Sequence, residues 1–139
     1  MSGINEGVVS VAVTSLCGEE SLHFTGSGTL RRDSRGTHLD YTARDREGNT
    51  VRSSVHLGMG RAVVVTGAYR LLLDPSHPTG ARIPVEGGAL ELTVTAHRVH
   101  ADLDGSDGAI ILHYTLSALG RPLQEMHLTL TLGPIETER

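Results

Sequence analysis

Apolar residues recur at every second position over most of this 139-residue chain, and that period leaves few folds open to it. A strand turns successive side chains to opposite faces, so alternating oily and polar residues describe a strand buried on one side and wet on the other. Val9, Val11 and Val13 alternate with Ser10, Ala12 and Thr14, and Leu22 and Phe24 continue through Gly26 and Gly28 to Leu30. Leu39, Tyr41 and Ala43 form another series, as do Val51, Ser53, Val55 and Leu57. The Val-rich run Arg61 to Gly67 is apolar on both faces and, with Arg70 to Leu73, is expected to be the best covered. Leu90, Leu92, Val94 and Ala96 make an inner series whose phase flips beyond His97 and Arg98 to Val99, Ala101 and Leu103. A one-residue slip of this kind calls for a bulge or a very tight turn near Arg98. Ile110, Leu112, Tyr114 and Leu116 pair with Met126, Leu128, Leu130 and Leu132 as a closing hairpin.

Turn chemistry separates these runs: Gly18-Glu19-Glu20, Asp33-Ser34-Arg35-Gly36, Glu47-Gly48-Asn49, Gly58-Met59-Gly60, Gly87-Gly88 and Gly120-Arg121-Pro122. Gly, Asn and Asp supply the positive φ that short hairpins need. About ten strands joined in this way, with no helical pattern between them, make a meander that stacks as a sandwich or closes as a barrel. Closure removes the exposed sheet edges and is the form expected here, a single antiparallel up-and-down barrel of about 8–10 strands. Asp74 to Val85 contains Pro75, Pro78 and Pro84 and is expected to cross or cap one end rather than run as a regular central strand. No linker divides the chain, so residues 1–139 read as one domain, with 1–6 and 134–139 as loose tails.

Hydrophobic residues are 38% and charged residues 20% of the chain, which indicates neither charge-driven disorder nor a lipid-embedded chain. The net charge of −4 and the scattered basic residues argue against a nucleic-acid partner. The single cysteine, Cys17, cannot form an internal disulfide and lacks the C-x-x-C spacing of a redox or zinc site, which suits a reducing cytoplasm. The start of the chain has no basic stretch followed by an apolar one, and no run reaches the roughly 18 apolar residues of a membrane span.

Three stretches resemble the YwiB-like family, small bacterial proteins of unknown function. They are Gly36-Thr37-His38-Leu39-Asp40-Tyr41, Gly87-Gly88-Ala89-Leu90-Glu91-Leu92-Thr93-Val94, and Gly108-Ala109-Ile110-Ile111-Leu112-His113-Tyr114-Thr115-Leu116. The order and spacing of these glycine-led strands extend the likeness over nearly the whole chain, and the resemblance implies a calycin-type, lipocalin-like β-barrel. Where the family often carries a Thr-Pro-aromatic segment this chain has Val85-Glu86-Gly87, and His77 matches a histidine of the family's preceding loop. The chain has no Trp, so the Gly-x-Trp motif of the lipocalins proper is missing. The resemblance implies a barrel and no catalytic residues.

Eight histidines prompt a test for metal ligation. His23, His38, His56, His97, His100, His113 and His127 all fall opposite the apolar series of their strands, on the outside of a barrel, where polar-out alternation accounts for them. His97 with His100 and Asp102, or His38 with Asp40, are the groups that can meet there, but no metal site is expected. Asp102-Leu103-Asp104-Gly105-Ser106-Asp107-Gly108 imitates a calcium loop, yet one acid is displaced and His113 stands where a bidentate Glu belongs, so it reads as a hairpin turn. Gly26-Ser27-Gly28 has no following helix to make it a nucleophile elbow and reads as a bent strand. Gly58-Met59-Gly60 reads as a turn, and Cys17 as a passive thiol.

Tyr41, Tyr114 and Gln124 are the polar minority in phase with the inward Leu and Val residues. Inward hydroxyls and amides require partners, which a bound molecule, an internal water or backbone carbonyls can supply. With one Phe and no Trp the interior is aliphatic, better suited to a small apolar ligand than to a flat cofactor. The leading expectation is a non-enzymatic cytoplasmic barrel that binds such a ligand at one open end near Tyr41, Tyr114, Gln124 and His77, without cofactor or metal. The alternative is a solid barrel that acts through a partner protein or as a homodimer.

Overall fold

The alternating runs become ten antiparallel strands. A computed structural model describes residues 5–135 except 68 and 106, and among them the strands are β1 (Asn5–Cys17), β2 (Glu20–Asp33), β3 (Gly36–Arg44), β4 (Thr50–Gly58), β5 (Arg61–Thr66), β6 (Tyr69–Leu73), β7 (Thr79–Val85), β8 (Gly88–Asp104), β9 (Asp107–Ala118) and β10 (Arg121–Pro134). They form one sheet in the order β6-β5-β4-β3-β2-β1-β10-β9-β8-β7. Every pair of consecutive strands except β6 and β7 is paired in the sheet, and β1 pairs with β10, Val11 opposite Leu132. A single curled sheet of this topology is the expected up-and-down barrel rather than a two-sheet sandwich. The residues expected as an N-terminal tail include Asn5 and Glu6, which pair with Arg32 and Arg31 in β1 and β2; residues 1–4 and 136–139 lie outside the described residues.

The inward phase is buried as the alternation requires. Val9, Val11 and Val13 are 0–4% exposed, whereas the outward Ala12 and Thr14 are exposed. The Val-rich strand β5 departs from expectation: Ala62 and Val64 are buried, but Val63 is only half-buried and Val65 is exposed. No second layer packs on the outside of a single-sheet barrel, so an apolar outer residue stays in contact with water.

Two glycines let the sheet curl. Gly26 and Gly28 lie in phase with the inward residues of β2 and opposite Ala43 and Tyr41 of β3. A Cβ on Gly26 would fall 1.9 Å from the Thr42 carbonyl oxygen, and one on Gly28 would fall 2.2 Å from that of Asp40. Only residues without side chains admit the backbone of β3 this closely, and such glycines mark a strand bent at a barrel corner.

The phase flip in β8 is a bulge, not a turn: the pairing with β9 slips between Ala96, opposite Tyr114, and Arg98, opposite His113. The extra residue is His97. The two halves of the series therefore form one continuous strand.

The proline-containing stretch also differs from expectation. Only Asp74 to Pro78 is irregular; Thr79–Val85 is a strand, β7, paired with β8 along one side. Pro84 is tolerated because β7 is an edge strand and has no ladder to donate to on its other side. That side faces β6, the other edge of the sheet, and the Thr79 hydroxyl donates to the Leu72 carbonyl across the seam. The turn that joins the two edges is built on Asp74, which is 6% exposed. Its carboxylate accepts from the Ser76 amide at 2.9 Å and the Ser76 hydroxyl at 2.7 Å, and lies 3.2 Å from His77 Nε2 and 3.6 Å from Arg61 Nε. The Ser76 bonds, followed by the charges of His77 and Arg61, hold the Asp74 carboxyl below its ordinary value.

Two predictions follow from this construction. Gly26→Ala forces a methyl group into the β3 backbone and should cost about 3 kcal/mol or prevent folding, while Gly80→Ala in β7, with nothing within 4 Å of its Cβ, should stay within about 0.5 kcal/mol of wild type. Equal midpoints for the two variants in urea titrations would refute the close approach. Because the folded-state value of Asp74 lies below the unfolded one, its stabilisation is present at neutral pH and is lost as the pH falls below about 3.9 and through the lowered folded value. Asp74→Asn should therefore lower Tm by several degrees at neutral pH, and thermal melts should show the difference shrinking in acid below that range.

Candidate functional site

The interior is packed at one end and hollow at the other. Val9, Leu73, Ile110, Leu112 and Leu130 are fully buried towards the end that holds the chain's first residues in β1 and the Asp74 turn. Towards the opposite end, beside the turns that leave β1, β3 and β5, a cavity of about 250 Å³ opens past the half-exposed Leu22. Its walls are the apolar Val13, Phe24, Val64, Leu71, Met126 and Leu128, with Ser15, Tyr41, Ser53, Thr66 and Tyr114 among them. The volume matches the share of about eight waters in the liquid and lies just below the usual range of small-molecule pockets, about 300–1,000 Å³.

Register places the polar groups of this wall in a row. Tyr41 stands opposite Ser53, and Ser53 opposite Thr66, across β3, β4 and β5. The Ser53 hydroxyl donates to the Val65 carbonyl at 3.1 Å and shares a 2.6 Å hydrogen bond with the Thr66 hydroxyl. Gly28 faces Tyr41 from the other side, and its missing side chain leaves room for the Cα and Cβ of Tyr41. Tyr114 approaches from β9, opposite Met126. Both tyrosines are almost fully buried, at 6% and 5% exposed. Among the described residues that line the cavity there is no Asp, Glu, His or Arg.

Of the four residues singled out from the sequence, the structure brings Tyr41 and Tyr114 together and leaves the other two outside. Gln124 keeps the inward phase of Met126, but its partner is Leu116 beyond the slip at Pro122, and it is exposed and does not line the cavity. His77 sits at the far end of the barrel. Because Leu73 pairs with Ala62, the turn after β6 lies at the start of β5, whereas the cavity is walled by the other end of β5 at Thr66. There His77 binds Asp74 and the Pro78 carbonyl. The polar wall residue Ser53 was legible in the alternation; its partner Thr66, at the end of β5, follows only from the β4–β5 register.

A larger depression of about 550 Å³ lies on the outside, lined by polar residues such as Ser27, Asp40, Thr42, Arg52 and Ser54. It is an open groove, mostly polar, with Val65 as its aliphatic side chain. The outer imidazoles do not make the contacts that sequence proximity suggested. His38 stacks on His56 with centroids 4.0 Å apart and lies 3.5 Å from Asp33, not against Asp40. His97 neighbours His113 across the strands, not His100 and Asp102. His113 stacks on His127 with centroids 3.7 Å apart, and both Nε2 atoms point to one Glu125 oxygen, at 2.9 and 3.3 Å. These bonds, from His113 first, hold the Glu125 carboxyl below its ordinary value. Asp102 to Gly108 forms the β8–β9 hairpin, with Asp104 opposite Asp107 and Gly105 at φ 64°. Among the described residues no helix is long and apolar enough to cross a membrane.

The crystal structure of ywiB protein from Bacillus subtilis is similar to this chain with a TM-score of 0.76 over 96% of each chain, at 20% sequence identity, which shows a shared fold. No curated protein matches the chain. The family described as domain of unknown function DUF1934 matches residues 12–130, from β1 into β10. That match spans most of the barrel and agrees with the YwiB-like resemblance, so the chain belongs to the DUF1934 family.

Proposed function

We propose that this protein is a non-enzymatic, cytoplasmic binding protein whose barrel takes one small, largely apolar molecule in the cavity between Tyr41 and Tyr114. The observation that carries the reading is the half-hollow interior: apolar walls around about 250 Å³, with a few hydroxyls placed along them. Burying apolar ligand surface in such a space is favourable at roughly 25 cal/mol per Å², and the hydroxyls of Ser53, Thr66 and the two tyrosines give a polar end of the ligand somewhere to bind. The cavity admits a short chain or a single substituted ring and is too small for a haem or a flavin. The lone cysteine, half-buried in β1, is in keeping with a reducing compartment.

A second reading, action through a partner protein or as a homodimer, has its own observation. Leu119 is fully exposed and Leu123 is 54% exposed at the β9–β10 turn, on the same end of the barrel as the cavity mouth. The two readings separate experimentally. Native mass spectrometry of the chain purified from its own cell should show one small adduct, and a thermal-shift screen of medium-chain fatty acids and small aromatic acids should raise Tm for a subset. Val13→Phe, which fills the cavity from β1, should weaken that binding by at least about tenfold, since about 1.4 kcal/mol suffices for a factor of ten. If no molecule shifts Tm, or if the filled variant binds as well as wild type, the cavity is not the binding site. A stoichiometric protein partner captured in their place, and lost on Leu119→Asp, would establish the second reading.

A further inference from the structure

The outer face of the same β9–β10 wall carries a group that the cavity does not use. His113 and His127 are direct cross-strand partners, and Glu125, two residues before His127, projects to the same side. Three donor atoms result, the two Nε2 nitrogens and one Glu125 carboxylate oxygen, all within 4.8 Å of one another. The scaffold under them is secure, because β9 and β10 are central strands, with β8 on one side and β1 on the other. Sites built on strands hold their geometry better than sites on loops.

We propose that His113, Glu125 and His127 bind a divalent transition-metal ion of the zinc class on the outside of the barrel. Zinc sits about 2.0–2.2 Å from imidazole nitrogen and carboxylate oxygen, and a tetrahedral arrangement puts neighbouring donors about 3.4 Å apart. The two nitrogen–oxygen separations, 2.9 and 3.3 Å, are within about 0.5 Å of that spacing. The nitrogens, no more than 4.8 Å apart, need to close by at most about 1.4 Å, which a pivot of the two stacked rings supplies. Two imidazoles and a carboxylate suit zinc, copper and nickel better than magnesium or calcium, which prefer oxygen ligands throughout. To coordinate through Nε2, each neutral ring gives up the Nε2–H that faces Glu125 and carries its proton on Nδ1 instead. Three protein ligands leave the fourth position of a tetrahedral ion to water.

The bulge in β8 belongs to the same construction. Its extra residue, His97, lies beside His113 with centroids 4.8 Å apart, and its Nε2 is 2.7 Å from the hydroxyl of Thr115, which stands opposite Glu125 in the ladder. His97 is outside the donor set and buttresses it, as groups around metal ligands commonly do. The other stacked pair, His38 with His56, has Asp33 only near His38, at 3.5 Å, and converges on no shared oxygen. It serves as the internal control.

The test uses the untagged full chain, stripped with a chelator and titrated with Zn²⁺ by equilibrium dialysis and calorimetry, with Co²⁺ as a spectroscopic probe. One ion should bind per chain, and Co²⁺ should show ligand-field absorption in the visible range. His127→Ala and Glu125→Gln should each weaken binding by at least about tenfold and remove that absorption, while His38→Ala should leave both unchanged. Glu125→Gln keeps the side chain's shape and decides the matter if the alanine variant folds poorly by circular dichroism. No saturable uptake, wild-type affinity in Glu125→Gln, or loss of binding in His38→Ala would each overturn the site and leave His113, Glu125 and His127 as a hydrogen-bonded cluster only. Because the ion binds outside the barrel, these results are independent of whether the cavity takes a ligand.

Discussion

The barrel depends on the burial of Val9, Leu73, Ile110, Leu112 and Leu130, which come from β1, β6, β9 and β10 and are all removed from water. Hydrogen bonds between neighbouring strands would be made equally well in an open, gently twisted ribbon, so they do not explain closure. Each large apolar side chain taken out of water contributes about 2 kcal/mol, and Leu73, on the edge strand β6, shares one core with the other four, on the adjacent strands β1, β10 and β9, only if the sheet curls. The seam between β6 and β7 is therefore held by what lies beneath it and by a few polar bonds across it, the Thr79 hydroxyl and the Asp74 turn, rather than by a ladder. The bend at Gly26 and Gly28 makes the curl sterically possible.

Once the sheet is curled, its two faces acquire separate chemistry. Inward residues near the Asp74 end are Leu, Ile and Val and fill the space, whereas the inward set near the other end includes Ser15, Ser53 and Thr66, which are too small to meet across it. The hollow follows from side-chain volume. On the outside the ladder alternates with the inside: Tyr114 and Met126 form one pair of the β9–β10 wall, and His113 and His127 form the next. One stretch of two strands thus presents a cavity wall inwards and a cluster of imidazoles with a carboxylate outwards.

Most of the fold was legible because alternation reports directly on a half-buried strand. The bulge in β8 could be read from the phase change between Ala96 and Val99, since a slip of one residue is the only way to keep both series on one face, where Val99 and Leu103 are partly buried and Ala101 is exposed. Strand β7 was hidden because Pro78, Gly80 and Pro84 interrupt the pattern, and an edge strand with one ladder tolerates what a central strand does not. Tyr41 and Tyr114 were found from phase alone. Gln124 shares their phase and still lies outside the cavity, because phase says which way a residue points and not how far along the barrel it sits. His77 failed for a related reason: its loop follows a strand whose direction, set by pairing with β5, carries it to the packed end.

What the sequence determined by itself is the direction of each side chain, in or out, because a strand's period of two is local and needs no knowledge of neighbours. Which side chains meet was decided by register and closure. Thr66 joins Ser53, and Glu125 meets both His113 and His127, because the register of the β4–β5 and β9–β10 hairpins aligns them at those rungs. Likewise, whether the inward residues fill the space or leave a cavity depends on the radius of the curled sheet, a property that no single strand possesses.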